Sequence, residues 1–279
     1  MTDVKEYTIR NRSILSFSRF YEIFSYLDLF FYLVKKEIKI LYQQSILGIS
    51  WAVIRPVFAM LVFTLIFGGL ASMPSDGSPY ALFSYTALVP WTYFSTSVVR
   101  STQSLITNAS IITKVYFPRL IIPIVPIVAG LLDFFIALLV TFFIMFWFGI
   151  GLNVNIIFIP ILILIMVLSS AGIGFFTSAL AVQYRDIKHA ISFITQILMY
   201  AAPVVWPVSI LTEKYGENVY YIFSVYPMVG VIEGFRSAII GTNPMPWISI
   251  LIGFISSSFL FLFGSIFFIK KENIFSDVV

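Results

Sequence analysis

Cysteine is absent from the 279 residues of the chain, which excludes a disulfide framework, a thiolate nucleophile and a cysteine metal site. Histidine occurs once, as His189 in the loop RDIKH. A solvated side chain beside Lys188 is a plainer reading of it than a general base. With no second histidine and no carboxylate cluster, there is no metal-ligand set. No glycine-rich phosphate loop of the Walker type occurs, so the chain cannot hydrolyse ATP by that route. Charge is scarce too: 11% of residues are charged against 59% hydrophobic, with a mean hydropathy of +0.98. A soluble domain of this size needs a charged shell, so the bilayer must be the solvent. Residues 1–26 are polar and basic, without the apolar core or small-residue cleavage site of a signal peptide. The first span is expected to act as its own insertion signal.

What the chain has in quantity is apolar and aromatic surface. Phe alone accounts for 30 residues and aromatics for 18%, suited to lipid-facing surfaces or to stacking against sugars. Hydrophobic runs fall at about 52–73, 80–103, 120–149, 156–183, 190–207 and 247–269. Each approaches the roughly 20 apolar residues that a spanning helix requires, the fifth at the short end. The sequence therefore predicts an all-α, polytopic membrane protein with six transmembrane helices. Ahead of them, residues 27–47 show helical periodicity. Leu27, Phe30, Phe31, Val34, Ile38 and Leu41 share one face, opposite Asp28, Lys35, Lys36, Lys39 and Gln43. Three lysines in five positions rule out a span and favour a helix lying in the headgroup plane.

The basic residues set the expected topology. With the N-terminus inside, fifteen of the 17 Lys and Arg residues are cytoplasmic or at cytoplasmic helix ends, and only Lys214 and Arg236 lie outside. The net charge of +4 thus points to a membrane face rather than to nucleic acid. Residues 208–246, interrupted by Pro227, Glu233 and Arg236, are nearly long enough to span. Counting them as a span would carry Lys270 and Lys271 outside. They are expected to be external, with short re-entrant or interfacial helices bent at Pro227 and broken near Gly230. Both termini are then cytoplasmic. The domains read as an arm and interface helix at 1–51, a transmembrane domain at 52–269 and a tail at 270–279.

Few residues offer chemistry. Asp133 is the one acid deep in a span, ~21 Å along a helix from Arg119. A hydrogen bond to a neighbouring helix, even across a subunit contact, competes with a functional role for it. The small residues of SSAGIG at 169–174 suggest close helix packing. Trp91, Tyr93 and Phe94 form either a lipid-facing belt or a ring lining a conduit. Residues 104–119 end in Lys114, Tyr116, Phe117, Pro118 and Arg119, apolar knobs with positive charge that suit docking to a cytosolic partner. Pro118 is expected to end the preceding helix.

Taken in order, these segments resemble the transmembrane subunit of type-2 ABC exporters, in the branch that exports polysaccharide such as O-antigen, capsule or teichoic acid. YQQSILGISWAVIRP at 42–56 resembles that family's entry into its first span, and NASIITKVYFPRLIIPIV at 108–125 its most recognisable segment. AVQYRDIKHAISFITQILMYAAPVVWP at 181–207, YPMVGVIEGFRSAIIG at 226–241 and the tail FFIKKENIFSDVV complete the series. Tyr226 stands where relatives often have Asn. The resemblance implies a homodimer with two copies of an ATP-binding ABC subunit, which would bind ATP and Mg, so that no cofactor belongs to this chain and it is no enzyme. It implies an interface helix carrying Lys35, Lys36, Glu37 and Lys39, and an ATPase-coupling loop at 104–119 with Asn108, Lys114, Tyr116, Phe117, Pro118 and Arg119. It also implies a channel or gate to which Trp51, Phe58, Tyr200, Pro203, Trp206, Glu233 and Arg236 would contribute, the region 208–246 being an external gate where Glu233 and Arg236 could pair. The implied substrate is a lipid-linked polysaccharide crossing a bacterial or archaeal cytoplasmic (inner) membrane. The alternatives are a type-2 permease for a drug or lipid and, less favoured, a membrane-embedded glycosyl or acyl transferase, which the shortage of paired acids and histidines argues against.

Overall fold

The computed structural model describes residues 24–43, 46–272 and 275. The basic arm at 1–23, with Lys5, Arg10, Arg12 and Arg19, and the end of the tail lie outside them. Every regular element among the described residues is helical. Helix α1, Leu27–Tyr42, buries Leu33 and Val34 and packs on the helix Ile121–Trp147. Lys35 and Lys39 are exposed, whereas Lys36 and Glu37 are half-buried. Leu27 and Phe31 of the expected apolar stripe face outward, which suits contact with lipid.

Helix α2, Trp51–Phe63, begins after a tight turn at Gly48–Ser50 and widens into a π-helical stretch at Thr64–Leu70. Only Pro56 and Met60 of α2 are buried. The polar turn that follows holds Asp76 and Gly77 at φ 49° and 77°. Asp76 accepts hydrogen bonds from Ser209 Oγ at 2.7 Å and Asn243 Nδ2 at 3.0 Å, stapling the turn to segments more than 130 residues on in the chain.

Helix α3, Tyr80–Thr107, is the central post of the fold and is buried over most of its 28 residues. It is rich in Ser and Thr, whose hydroxyls return to carbonyls of the same helix, as Thr86 does to Leu82 and Thr102 to Val98. Such back-bonding satisfies the hydroxyl without water. The short α4, Ala109–Ile112, leads to α5, Ile121–Trp147, which carries Pro126 in its interior. Ser101 of α3 donates to the Pro123 carbonyl at 2.9 Å, and Tyr93 donates to the Ile127 carbonyl at 3.0 Å. Helix α6, Ile159–Gln183, packs along the last helix, α11, Trp247–Lys271. Here Gly172 and Gly264 bring the backbones together: a Cβ on either would run into the opposing main chain. The SSAGIG stretch is thus a packing seam.

Between these two helices come α7, Ile187–Ala201, then α8, Val208–Tyr215, α9, Glu217–Phe223, and α10, Pro227–Ile239. The α9–α10 pair is bent by 113°. Pro227 opens α10 because its missing N–H and fixed φ suit a first helical turn. The helix runs unbroken through Gly230, where a break was expected, because that glycine lies against the Ser249 backbone of α11. All of α10 is buried.

Four described helical stretches are long and apolar enough to cross a membrane, and five if the bent pair is one span. The expected six therefore differs from the count by length and composition. Two of the six runs account for the difference. The Ser- and Thr-rich α3 is long enough but is walled in by protein and need not be as apolar as a lipid-facing helix. The run at 190–207 yields the 15-residue α7, ~22 Å of helix, before Pro203 and its neighbours turn the chain.

Candidate translocation cleft and coupling loop

Helices α2 and α7 each pack on α3 with no comparable contact between themselves, leaving an open cleft of about 700 Å³ floored by α3. Its apolar lining includes Phe63, Leu88, Trp91 and Met199, and its polar lining includes Thr96, Gln196 and two arginines, Arg55 and Arg100. Several hydroxyls on its walls have committed their protons. Thr96 donates to the Thr92 carbonyl at 2.7 Å, Ser192 to Lys188 at 3.1 Å and Thr195 to Ile191 at 2.9 Å. What they present to the cleft is acceptor lone pairs.

The channel candidates chosen from sequence fall mostly elsewhere. Phe58 and Tyr200 are exposed away from the cleft, Pro203 is buried, and Trp206 is half-buried with its indole N–H on the Tyr200 carbonyl at 3.1 Å. Trp51 lines a smaller cavity beside the cleft. Trp91 lines the cleft itself, and Tyr93 and Phe94 are buried in protein, so the lipid-facing belt is excluded for all three. Arg100, Thr96, Gln196 and Met199 were not picked out from sequence. Their signal was a polar stripe on α3 and α7 that the hydropathy of each run averages away.

Glu233 and Arg236 pair within α10 at 2.6 Å and are both buried. Arg236 also donates from Nη2 to the Val204 carbonyl at 3.0 Å, and its guanidinium lies 3.5 Å from the centroid of the Phe83 ring. The next carbonyl in that loop, Val205, accepts from Tyr80 Oη at 2.7 Å. The pair therefore ties α10 to the N-terminal part of α3 and to the loop ending α7.

Asp133 lines the smaller cavity, about 130 Å³, with Tyr42, Trp51, Arg55 and Arg100. Its Oδ1 has no hydrogen-bond partner, nor has Tyr42 Oη. The hydrogen bond expected from a neighbouring helix is not made to Oδ1 among the described residues, where the carboxylate instead faces the cavity.

In the loop before α5, Asn108 is turned inward, its side chain on the Ser104 carbonyl at 3.0 Å. Lys114 and Tyr116 project outward, Tyr116 with 80% of its surface exposed. Phe117 is buried, Pro118 is half-buried, and Arg119 reaches the Glu272 carbonyl at the end of α11 at 2.5 Å. Of the six residues expected to dock, two present themselves outward, while Phe117 and Arg119 anchor the loop. Among the described residues there is no metal-binding cluster, and His189, expected in a loop, is an exposed side chain in the first turn of α7.

The family model for ABC-2 type transporters matches residues 28–240, a span that takes in α1, the cleft, the coupling loop and the buried α10. The chain belongs to the ABC-2 type transporter family. It is a multi-pass membrane protein and a transport subunit. It is similar to the O-antigen export system permease protein RfbA of Klebsiella pneumoniae, 26% identical over 254 residues that cover 90% of this chain and 95% of that protein. It is likewise 26% identical over 216 residues to the protein of the same name from Myxococcus xanthus, covering 77% of this chain and 82% of that one. Both alignments exceed the length of the matched family domain, so the likeness extends beyond it.

Proposed function

We propose that this ABC-2 transporter is the permease subunit of an ATP-driven exporter that moves a lipid-linked polysaccharide outward through a channel formed by two copies of the chain in the cytoplasmic membrane. The observation that carries the reading is the open cleft between α2 and α7. Wall hydroxyls that have spent their protons suit the O–H donors of a sugar, and Phe63 offers ring surface to sugar faces. The names of its relatives, O-antigen export permeases, supply the substrate class. ATP and Mg belong to a partner ATPase, two copies per dimer, because this chain has no phosphate loop of its own.

Lys114 and Tyr116 are the residues we assign to the ATPase surface. Phe117 and Arg119 hold the loop to the body of the protein, so a push on Tyr116 passes into α5 and α11 instead of bending a free loop. Glu233 and Arg236 would keep α10 in place as the outer gate, and α1 would hold the cytoplasmic face.

The test is complementation. Cells lacking the chain should accumulate lipid-linked glycan internally and lose it from the surface. Supplying the chain with its ATPase should restore surface glycan, and surface glycan that persists without the chain would sink the proposal.

A further inference from the structure

Arg55 on α2 and Arg100 on α3 face one another's space: both line the large cleft and both line the cavity beside Asp133. Neither takes part in an ion pair among the described residues. Arg55 lies over the Trp51 ring, 5.4 Å from its centroid. Arg100 feels Arg55 as a repelling charge and Glu37 of α1 as the attracting one. Two cations that line one partly desolvated cavity and form no ion pair among the described residues are a costly arrangement, even with the Asp133 carboxylate on the same cavity wall. A doubly negative ligand between them would relieve it.

The walls sort the ligand further. Thr96, Ser192 and Thr195 have spent their protons on their own helices, so they can accept from a neutral hydroxyl but repel an anion's oxygens. Gln196 and Thr92 aside, the donors that an anion needs are the two guanidinium forks. Such forks match the paired oxygens of a phosphate group. Arg55 sits four residues from the start of α2, ~6 Å along its axis, so the forks occupy the end of the cleft nearest α1. Because α2 and α7 do not close on each other, a hydrocarbon tail attached to the phosphate can stay in the bilayer while the head enters.

We infer that Arg55 and Arg100 form a binding site for the diphosphate or phosphate headgroup of a lipid at the mouth of the cleft. The inference rests on reading the cleft as a substrate path, and it names the part of the substrate that is held first.

The test uses the full chain, purified in a neutral detergent, and measures binding of geranylgeranyl diphosphate, with geranylgeraniol as the uncharged control. The diphosphate should bind at least tenfold more tightly than the alcohol, and inorganic pyrophosphate should compete. The R55Q/R100Q double variant should lose at least tenfold in affinity, while Arg185→Gln, an exposed loop change, should bind as wild type does. Equal binding of diphosphate and alcohol, or undiminished binding by the double variant, overturns the site. If the double variant is not monodisperse, the exposed Arg55→Gln change alone and pyrophosphate competition on wild type carry the test. No effect of either is then the overturning result. Displacement by phosphatidylglycerol but not by pyrophosphate assigns the site to bilayer lipid headgroups, and the reverse assigns it to a diphosphate ligand. Tight, phosphate-specific binding by a chain that restores no export counts against the transport reading and leaves the site standing.

Discussion

The Arg236 guanidinium donates to the Val204 carbonyl at 3.0 Å while its other arm holds Glu233 at 2.6 Å, so a single side chain joins the buried α10 to the loop that ends α7. An arginine fork can serve both partners at once, which a lysine cannot. Arg236→Ala should leave Glu233 buried without its counter-charge and cost about 3–5 kcal/mol. A lowered unfolding temperature of the purified chain checks this, and Arg236→Lys should recover only part of the loss. An R236A protein as heat-stable as wild type would show that the pair does not hold α10.

Gly172 and Gly264 make the α6–α11 seam, where any side chain would meet opposing backbone. Gly264→Val should force the helices apart at a cost of about 1–3 kcal/mol or more. Gly151→Ala, which meets nothing within 4 Å, should be close to neutral. Thermal unfolding of the two variants side by side tests the difference.

The coupling loop divides into outward and inward residues, and their variants should fail differently. Lys114→Glu with Tyr116→Ala should leave folding intact, since both side chains are exposed, yet lower co-purification of the ATPase and export. Phe117→Ala should destabilise the chain itself by about 3–5 kcal/mol. A Phe117 variant that folds normally but releases the ATPase would reverse that division.

Asp133 Oδ1 has no hydrogen-bond partner among the described residues, so Asp133→Asn removes a desolvated charge and breaks no contact described there. The unfolding temperature of the isolated chain should stay level or rise. A clear fall would mean that a group of the second copy pairs with the carboxylate, and loss of the dimer on size exclusion would accompany it.

The apolar runs and the expected helices agree closely because hydropathy and helical period are local properties. Pro227 marked the start of α10 for the same reason, since its effect acts on its own backbone. Phe117 and Arg119 show the other side. Aromatic and basic residues in a polar loop read as exposed, but Phe117 is buried and Arg119 meets Glu272, 153 residues away in sequence. Gly230 misled similarly. A glycine weakens a helix on its own, yet here the close approach of Ser249 makes it the residue that lets the helix fit.

The sequence by itself determined that the bilayer is the solvent and where the apolar helices run. Those conclusions depend on composition and period. Only the tertiary structure decided which polar side chains share the cleft between α2 and α7, that Arg55 and Arg100 line it together, and which loop residues turn inward. These depend on how helices distant in sequence pack. The periodicity of one helix shows which residues share a face, but the neighbour that covers the face, or leaves it open, is set by the packing of all the others.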